Sequence, residues 1–223
     1  FYSPRIVFCE IDFLDSLNRI EKLYGLVEIW KHALLVGDSM KISQINSFLL
    51  DESKINYQDL VSFSLNVKKG FVEKDPLDKN GQHKAISLGH TLANVLEGDP
   101  SFRHGLAVFY GIVFETILAK NVSKLSENKY NEIMHTAILF EQNLHQLKSI
   151  KKMLRRKDLM LELNRDKINS HGSYSFVIPT DDSYFVYKNM PIEVINRSLN
   201  DFLALSLQSV EKHVSSFQKL LRS

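Results

Sequence analysis

With 223 residues the chain is long enough to bury a proper core, and by length alone it falls between one and two domains. Apolar residues at 44% and charged residues at 24% are ordinary for a globular protein, and 28 basic against 26 acidic residues give no bulk charge for holding nucleic acid. The single Cys9, set in an apolar run, excludes an internal disulfide, and no apolar run reaches the ~18 residues of a membrane span.

That cysteine reads as a buried thiol in a reducing compartment, and no signal-peptide pattern opens the chain, so a cytoplasmic location is expected. Residues 5–11 (RIVFCEI) are β-branched and aromatic and predict a buried strand, for which the chain offers no partner over the next long stretch. The strand is therefore expected to mark the boundary, at residues 1–11, with a sheet-bearing domain upstream, leaving residues 1–223 as a single helical domain. A short helix is predicted over 13–23 and a stronger one over 24–36, where Leu26, Val27, Ile29, Trp30, Ala33 and Leu34 make a broad apolar face. Glu28, Lys31 and His32 share the other face, where spacing alone reads as a solvated ion pair of about 0.3 kcal/mol. Gly37 stops that helix.

Further helices are predicted over 39–50 and 57–74, the latter carrying Lys68 and Lys69 and ending at a Lys-Asp-Pro break. Residues 85–119 then hold two histidines, His90 and His104, each next to a glycine and each opening an apolar helical pattern, with a Gly-Asp-Pro break at 98–100 between them. Helix 105–119 is apolar on nearly every side and so belongs at the centre of the fold. One or two long helices are predicted over 126–163, with a basic run at 148–157 that reads as a solvated face because no aromatics interleave it. A turn at 169–172, a hairpin of strands 174–178 and 184–187 around Pro-Thr-Asp-Asp, and a last helix over 192–221 complete a mainly α chain with one small β element.

Two imidazoles delivered from two helix starts, with a carboxylate from elsewhere, make a workable catalytic zinc site, since three protein ligands leave one position open. Spacing alone also fits a helix cap or a satisfied core histidine at each position. The glycines never fall as a dinucleotide fingerprint, and no nucleophile elbow is present, so acyl transfer has no support.

GHTLANVLE followed by RHGLAVFYG resembles the GHT..HA.E and HGEAVA.G signatures of 3-dehydroquinate synthases and their sugar-phosphate cyclase relatives. Residues 25–31 (GLVEIWK) are similar to that family's G-x-A-E-[VI]-I-K helix, whose glutamate binds the metal and whose lysine contacts substrate. Lys68 with Asp75 is similar to a segment whose lysine faces the substrate phosphate, and Asp166-Lys167-Ile168 to a D-K-K segment ahead of the hairpin. Residues 1–7 resemble the end of the family's nucleotide-binding domain. The resemblance implies a dehydroquinate-synthase-like C-terminal domain with Glu28, His90 and His104 on a divalent metal, zinc or cobalt. It implies Lys31 and Lys68 as catalytic residues, and Lys84, Ser87, Asn94 and Lys167 as contacts to a small sugar phosphate. It further implies NAD held by an upstream domain, so that the isolated chain does not turn over. A homodimer is expected, with no nucleic acid or membrane partner.

The chemistry implied is transient oxidation of a substrate hydroxyl by NAD⁺, elimination of phosphate, re-reduction and ring closure. Departures fall among residues that the family uses to hold substrate. Asn94 stands for a second histidine, Leu106 for the glutamate of HGE, Ser87 for an asparagine, Ile168 for a lysine, and His83 or Lys84 for an arginine. The metal ligands are all present. The substitutions fit a 3-dehydroquinate synthase-like enzyme, a sedoheptulose 7-phosphate cyclase of the valiolone synthase type, or a degenerate helical module retained for dimerisation or binding.

Overall fold

A computed structural model of the chain describes residues 5–75, 82–165 and 174–206, with the backbone alone at 82, 83 and 165. Helices α1 (Arg19–Leu35), α2 (Ser39–Leu50), α3 (Tyr57–Lys74), α4 (His90–Leu96), α5 (His104–Asn121), α6 (Glu127–Leu144), α7 (Leu147–Leu154) and α8 (Leu159–Arg165) precede a hairpin, β1 (Phe176–Pro179) and β2 (Tyr184–Tyr187), and helix α9 (Ile192–Ala204). The mainly α architecture with one small hairpin is the one expected from the sequence. Helix starts are set by capping: Asn18, Asp38, Asn56 and Ser126 accept the backbone N–H of Glu21, Lys41, Asp59 and Lys129. Each cap satisfies a donor that the helix itself leaves without a partner, worth about 1 kcal/mol.

The core is built around α5, in which every residue from Gly105 to Ala119 is buried. Helices α1, α4, α6 and α9 and strand β1 pack against it. Aromatic rings fill the gaps between them: Trp30 lies 6.2 Å from Phe109 and 5.4 Å from Phe140, and Phe114 lies 6.2 Å from both Phe176 and Phe202. Each such ring contributes about 1.5–3 kcal/mol by burial, so an alanine at Phe109 would cost about 3–5 kcal/mol with its cavity. The hairpin is antiparallel with Phe176 opposite Tyr187 and Pro179 opposite Tyr184, and β1 is buried along its whole length against α5.

The predicted N-terminal strand does not form. Residues 6–10 take no regular structure and their side chains are exposed, Phe8 by 89%. Cys9 is exposed as well, so the expected buried thiol is corrected. Apolar composition makes a strand only where a neighbour supplies hydrogen bonds, and among the described residues β1 and β2 pair only with each other. Residues 11–16 instead form a 3₁₀ turn, and α1 then runs unbroken, because Leu23 and Leu26 continue one buried face across the expected break.

The 126–163 stretch divides into three helices rather than one or two, the first ending at His145 in the left-handed conformation with φ +54°. The basic run is not simply solvated. Ile150, Met153 and Leu154 are buried, the Lys151 ammonium donates to the Leu205 carbonyl, and Lys157 donates to the Val95 carbonyl at 3.1 Å. Residues 1–4, the expected turn at 169–172 and the last helix beyond residue 206 lie outside the described residues. No helix among the described residues is long and apolar enough to cross a membrane.

Candidate metal centre

Two close helix crossings determine which side chains meet. At the start of α5, Gly105 packs so tightly on α1 that a Cβ there would overlap Tyr24. Glu28 stands one turn beyond Tyr24 on the same face, so His104 is delivered beside it. In the middle of α5, a Cβ on Gly111 would overlap the carbonyl of Gly89, which is itself at φ +85°. That contact lays the first turn of α4, and with it His90, against α5.

No side chain at Gly89 caps α4, and Glu115 takes over the task from α5. Its fully buried carboxyl accepts the Gly89 N–H and lies against Thr91. Burial pushes Glu115 well above the ordinary carboxylate range, an effect that the Gly89 and Thr91 donors and the Lys31 charge offset only in part.

Glu28, His90 and His104 converge: each offers a ligand atom within 4.8 Å of those of the other two. The imidazole centroids are 5.3 Å apart, and His104 Nε2 lies 3.7 Å from Glu28 Oε1. Tetrahedral zinc with bonds of ~2.0–2.1 Å places its ligands about 3.3 Å apart, so small side-chain adjustments would close the set. Both histidines are oriented through the other nitrogen. His90 Nδ1 meets the Leu88 carbonyl at 3.2 Å, and His104 Nδ1 meets Glu97 Oε1 at 2.7 Å. His104 Nε2 is thereby turned toward Glu28, and a hydrogen bond on the other ring nitrogen is the arrangement that fixes tautomer and aim in metal-bound histidines. Glu28 Oε1 is buried and has no hydrogen-bond partner, a condition that costs free energy unless a cation meets it. The three side chains therefore fit a divalent metal.

Electrostatics favour ligation. Burial raises the Glu28 carboxyl, but the bonded Lys31 ammonium and the neighbouring His90 and His32 outweigh it and hold Glu28 below the ordinary range. Burial, with Lys31, lowers His90, so its imidazole is neutral near pH 7 and has a lone pair to give.

Around this centre the other expected residues are placed unevenly. Lys31 is 1% exposed and donates to Glu28 Oε2 at 2.5 Å, which corrects the reading of a solvated ion pair. His32 is buried with it, its Nδ1 2.7 Å from Ser64 Oγ; burial, Lys31 and Lys68 push it down to about 4. Lys68 stands one turn after Ser64 on α3, exposed and near enough for its charge to be felt at Lys31 and His32. Lys84 is exposed and Ser87 donates to its carbonyl at 2.6 Å, both in the 3₁₀ turn (Gln82–Ser87) that leads to His90. Asn94 is exposed one turn after His90 on α4. Leu106 is buried in the apolar core, so that departure is one of packing and not of substrate contact. Lys167 and Ile168, and the side chain of His83, lie outside the described residues.

Sequence reasoning missed Glu97, Glu115 and the His32–Ser64 contact. Glu115 left a signal, being the one carboxylate within the most apolar helix of the chain. Glu97 left none, since nothing local joins it to His104 across the Gly-Asp-Pro break.

Residues 25–168 match the sequence model of the family described as 3-dehydroquinate synthase C-terminal. The chain is similar to the 3-dehydroquinate synthase of Alkaliphilus oremlandii, 27% identical over 90% of this chain and 55% of that protein. Similarity to the enzyme of Staphylococcus epidermidis is 29% identity over 96% of this chain and 57% of that protein. The enzyme of Campylobacter concisus is 34% identical over 63% of this chain and 41% of its own length. The chain thus spans about two fifths to three fifths of the length of such relatives, 41% to 57%. A solved structure of a 2-epi-5-epi-valiolone synthase from Streptomyces hygroscopicus, with NAD⁺ and Zn²⁺ bound, shares the fold at a TM-score of 0.67 and 18% identity, over 86% of this chain and 53% of that one.

Proposed function

The chain belongs to the 3-dehydroquinate synthase C-terminal family, and from that premise we propose that it is the metal- and substrate-binding half of a sugar-phosphate cyclase acting with NAD. The observation that carries the proposal is the convergence of Glu28, His90 and His104 around an unpartnered carboxylate oxygen. Zinc or cobalt bound there would supply Lewis acidity toward adjacent hydroxyls of a substrate.

The chain's own residues have separate tasks. His90 and His104 would each present a ring nitrogen to the metal, while Leu88 and Glu97 hold the rings in place. His104 is the most exposed of the three residues that would hold the metal. Lys68 and Lys84, both exposed, would meet phosphate or carboxylate as charged donors. Asn94 offers a hydrogen bond one turn from His90 but does not titrate near neutrality, so it moves no proton. The nicotinamide has no binding motif in this sequence and is taken to be held by residues outside it. A homodimer and a cytoplasmic location belong to the same reading.

Zinc titration against a chromophoric chelator tests it. One tight site per chain is expected, lost by at least a hundredfold in His104→Ala while the helical circular dichroism stays. A protein with no bound metal, and unchanged melting on chelation, would instead support the module without catalysis. Asn94 favours a second reading, cyclisation of sedoheptulose 7-phosphate. Phosphate release with NAD⁺ from that sugar, against a seven-carbon sugar-acid phosphate, separates the two by product.

A further inference from the structure

Helix α3 is lightly seated for its length. Of its 18 residues only Leu60 and Phe71 are buried, with Phe63 and Val67 partly buried against the core between them. In the middle of that span stands Ser64, whose Oγ lies 2.7 Å from Nδ1 of His32 on α1. A serine inside a helix ordinarily bonds the carbonyl one turn back or turns to solvent. This one reaches across to a ring that is 4% exposed. The other nitrogen of that ring, Nε2, is buried with no hydrogen-bond partner among the described residues. An apolar ring of similar shape would avoid that cost, so the contact to Ser64 is what an imidazole adds at this place. Lys68 follows Ser64 by four residues and therefore rises from the same face of α3. Its charge is felt at both Lys31 and His32, on the side of α1 that leads to Glu28.

We propose that His32 is a positioning residue for Lys68: its bond to Ser64 holds the middle of α3 against α1 and so sets where the Lys68 ammonium meets an anionic group of the substrate. His32 acts through Ser64 and the helix that carries both Ser64 and Lys68. This inference deepens the reading of the chain as the substrate-binding half of a cyclase, and it rests on Lys68 as an anion-binding lysine.

The test uses inorganic phosphate as the probe, followed by phosphorus NMR with and without zinc, and zinc affinity is measured alongside. Lys68→Met is expected to weaken phosphate binding. Ser64→Ala cuts the link from a half-buried position and is expected to weaken phosphate about fivefold, the size of one net hydrogen bond, with zinc affinity unchanged. Added to Lys68→Met, the same change should cost nothing more, because both act through one ammonium. At His32, asparagine places its amide where Nδ1 stands and should keep the parent's phosphate affinity. Glutamine places it where Nε2 stands and should match Ser64→Ala, a split that a role in packing alone would not produce. Phosphate affinity unchanged in Ser64→Ala and His32→Gln, or lost together with zinc, would overturn the inference. A parent chain that binds zinc but whose phosphate affinity is indifferent to Lys68 would overturn it and leave the metal centre standing. A parent chain that binds phosphate through Lys68 and takes up no zinc would sink the metal centre and leave the His32 link in place.

Discussion

His90 and His104 perform the same task from unlike surroundings. The start of α4 at His90 is fixed by buried backbone: Gly89 lies against Gly111, the Glu115 carboxyl takes the Gly89 N–H, and the ring is held by the Leu88 carbonyl. His104 has a side chain 55% exposed and is aimed across a loop by Glu97, whose side chain is 32% exposed. One ligand is thus held by the parts of the fold that also hold the core together. The other is placed by the seat of Gly105 on Tyr24, and its ring is aimed by the Glu97 contact near the surface. Changes on the His90 side should therefore move stability and metal binding together, and changes on the His104 side should move metal binding alone.

Gly111→Val gives the largest expected effect. Its side chain would have to displace the Gly89 carbonyl in a packed crossing, which costs about 1–3 kcal/mol by overpacking and more where backbone is the obstacle. Melting should fall by several degrees and zinc binding should weaken steeply in the same variant, as seen by calorimetry and chelator competition. Loss of stability with zinc affinity intact would show that the α4–α5 crossing does not control His90, and the contrast between the two halves would fail.

Glu115 sharpens the same side through pH. Its folded carboxyl titrates well above 4.5, whereas the unfolded one ionises near 4.5. Between those limits the folded state binds the extra proton, so stability falls as pH rises above about 4.5, by at most about 1.4 kcal/mol per pH unit, and levels off beyond the folded value. Glu115→Gln keeps an acceptor for the Gly89 N–H and removes the titration. Denaturant midpoints of the metal-free protein from pH 4 to 8 should decline in the parent over this window and stay flatter in the variant. Parallel curves would mean that Glu115 is ionised in the fold.

The same contrast explains what the sequence made legible. Helices α2 and α3, the central place of α5 and the hairpin followed from periodicity and turn residues, because those signals are local. His90, His104 and Glu28 were identified together by resemblance, and spacing did not join them, since they lie on three helices brought together by glycine contacts that have no sequence signature of their own. The solvated reading of Glu28, Lys31 and His32 failed for a related reason: helical period assigns a face but does not say that α3 and the 3₁₀ turn cover it. Residues 5–11 show the reverse case, in which composition promised a strand and the described fold supplied no partner.

Glu97→Ala gives the smallest expected change in stability and the most selective one in function. Glu97 and His104 are both accessible, and exposed pairs of this kind contribute about 0–1 kcal/mol, so the metal-free protein should melt within a few degrees of the parent. His104 would lose the acceptor on Nδ1 that turns Nε2 toward Glu28, and carboxylate partners of this type are worth 10–100-fold in metal affinity. Solvent can replace part of the bond at so open a position, which places the expected loss near tenfold. A Glu97→Ala protein that loses stability by several kcal/mol would make the His104 side as structural as the His90 side. One that keeps full zinc affinity would mean that the start of α5, seated on Tyr24, aims the imidazole without help.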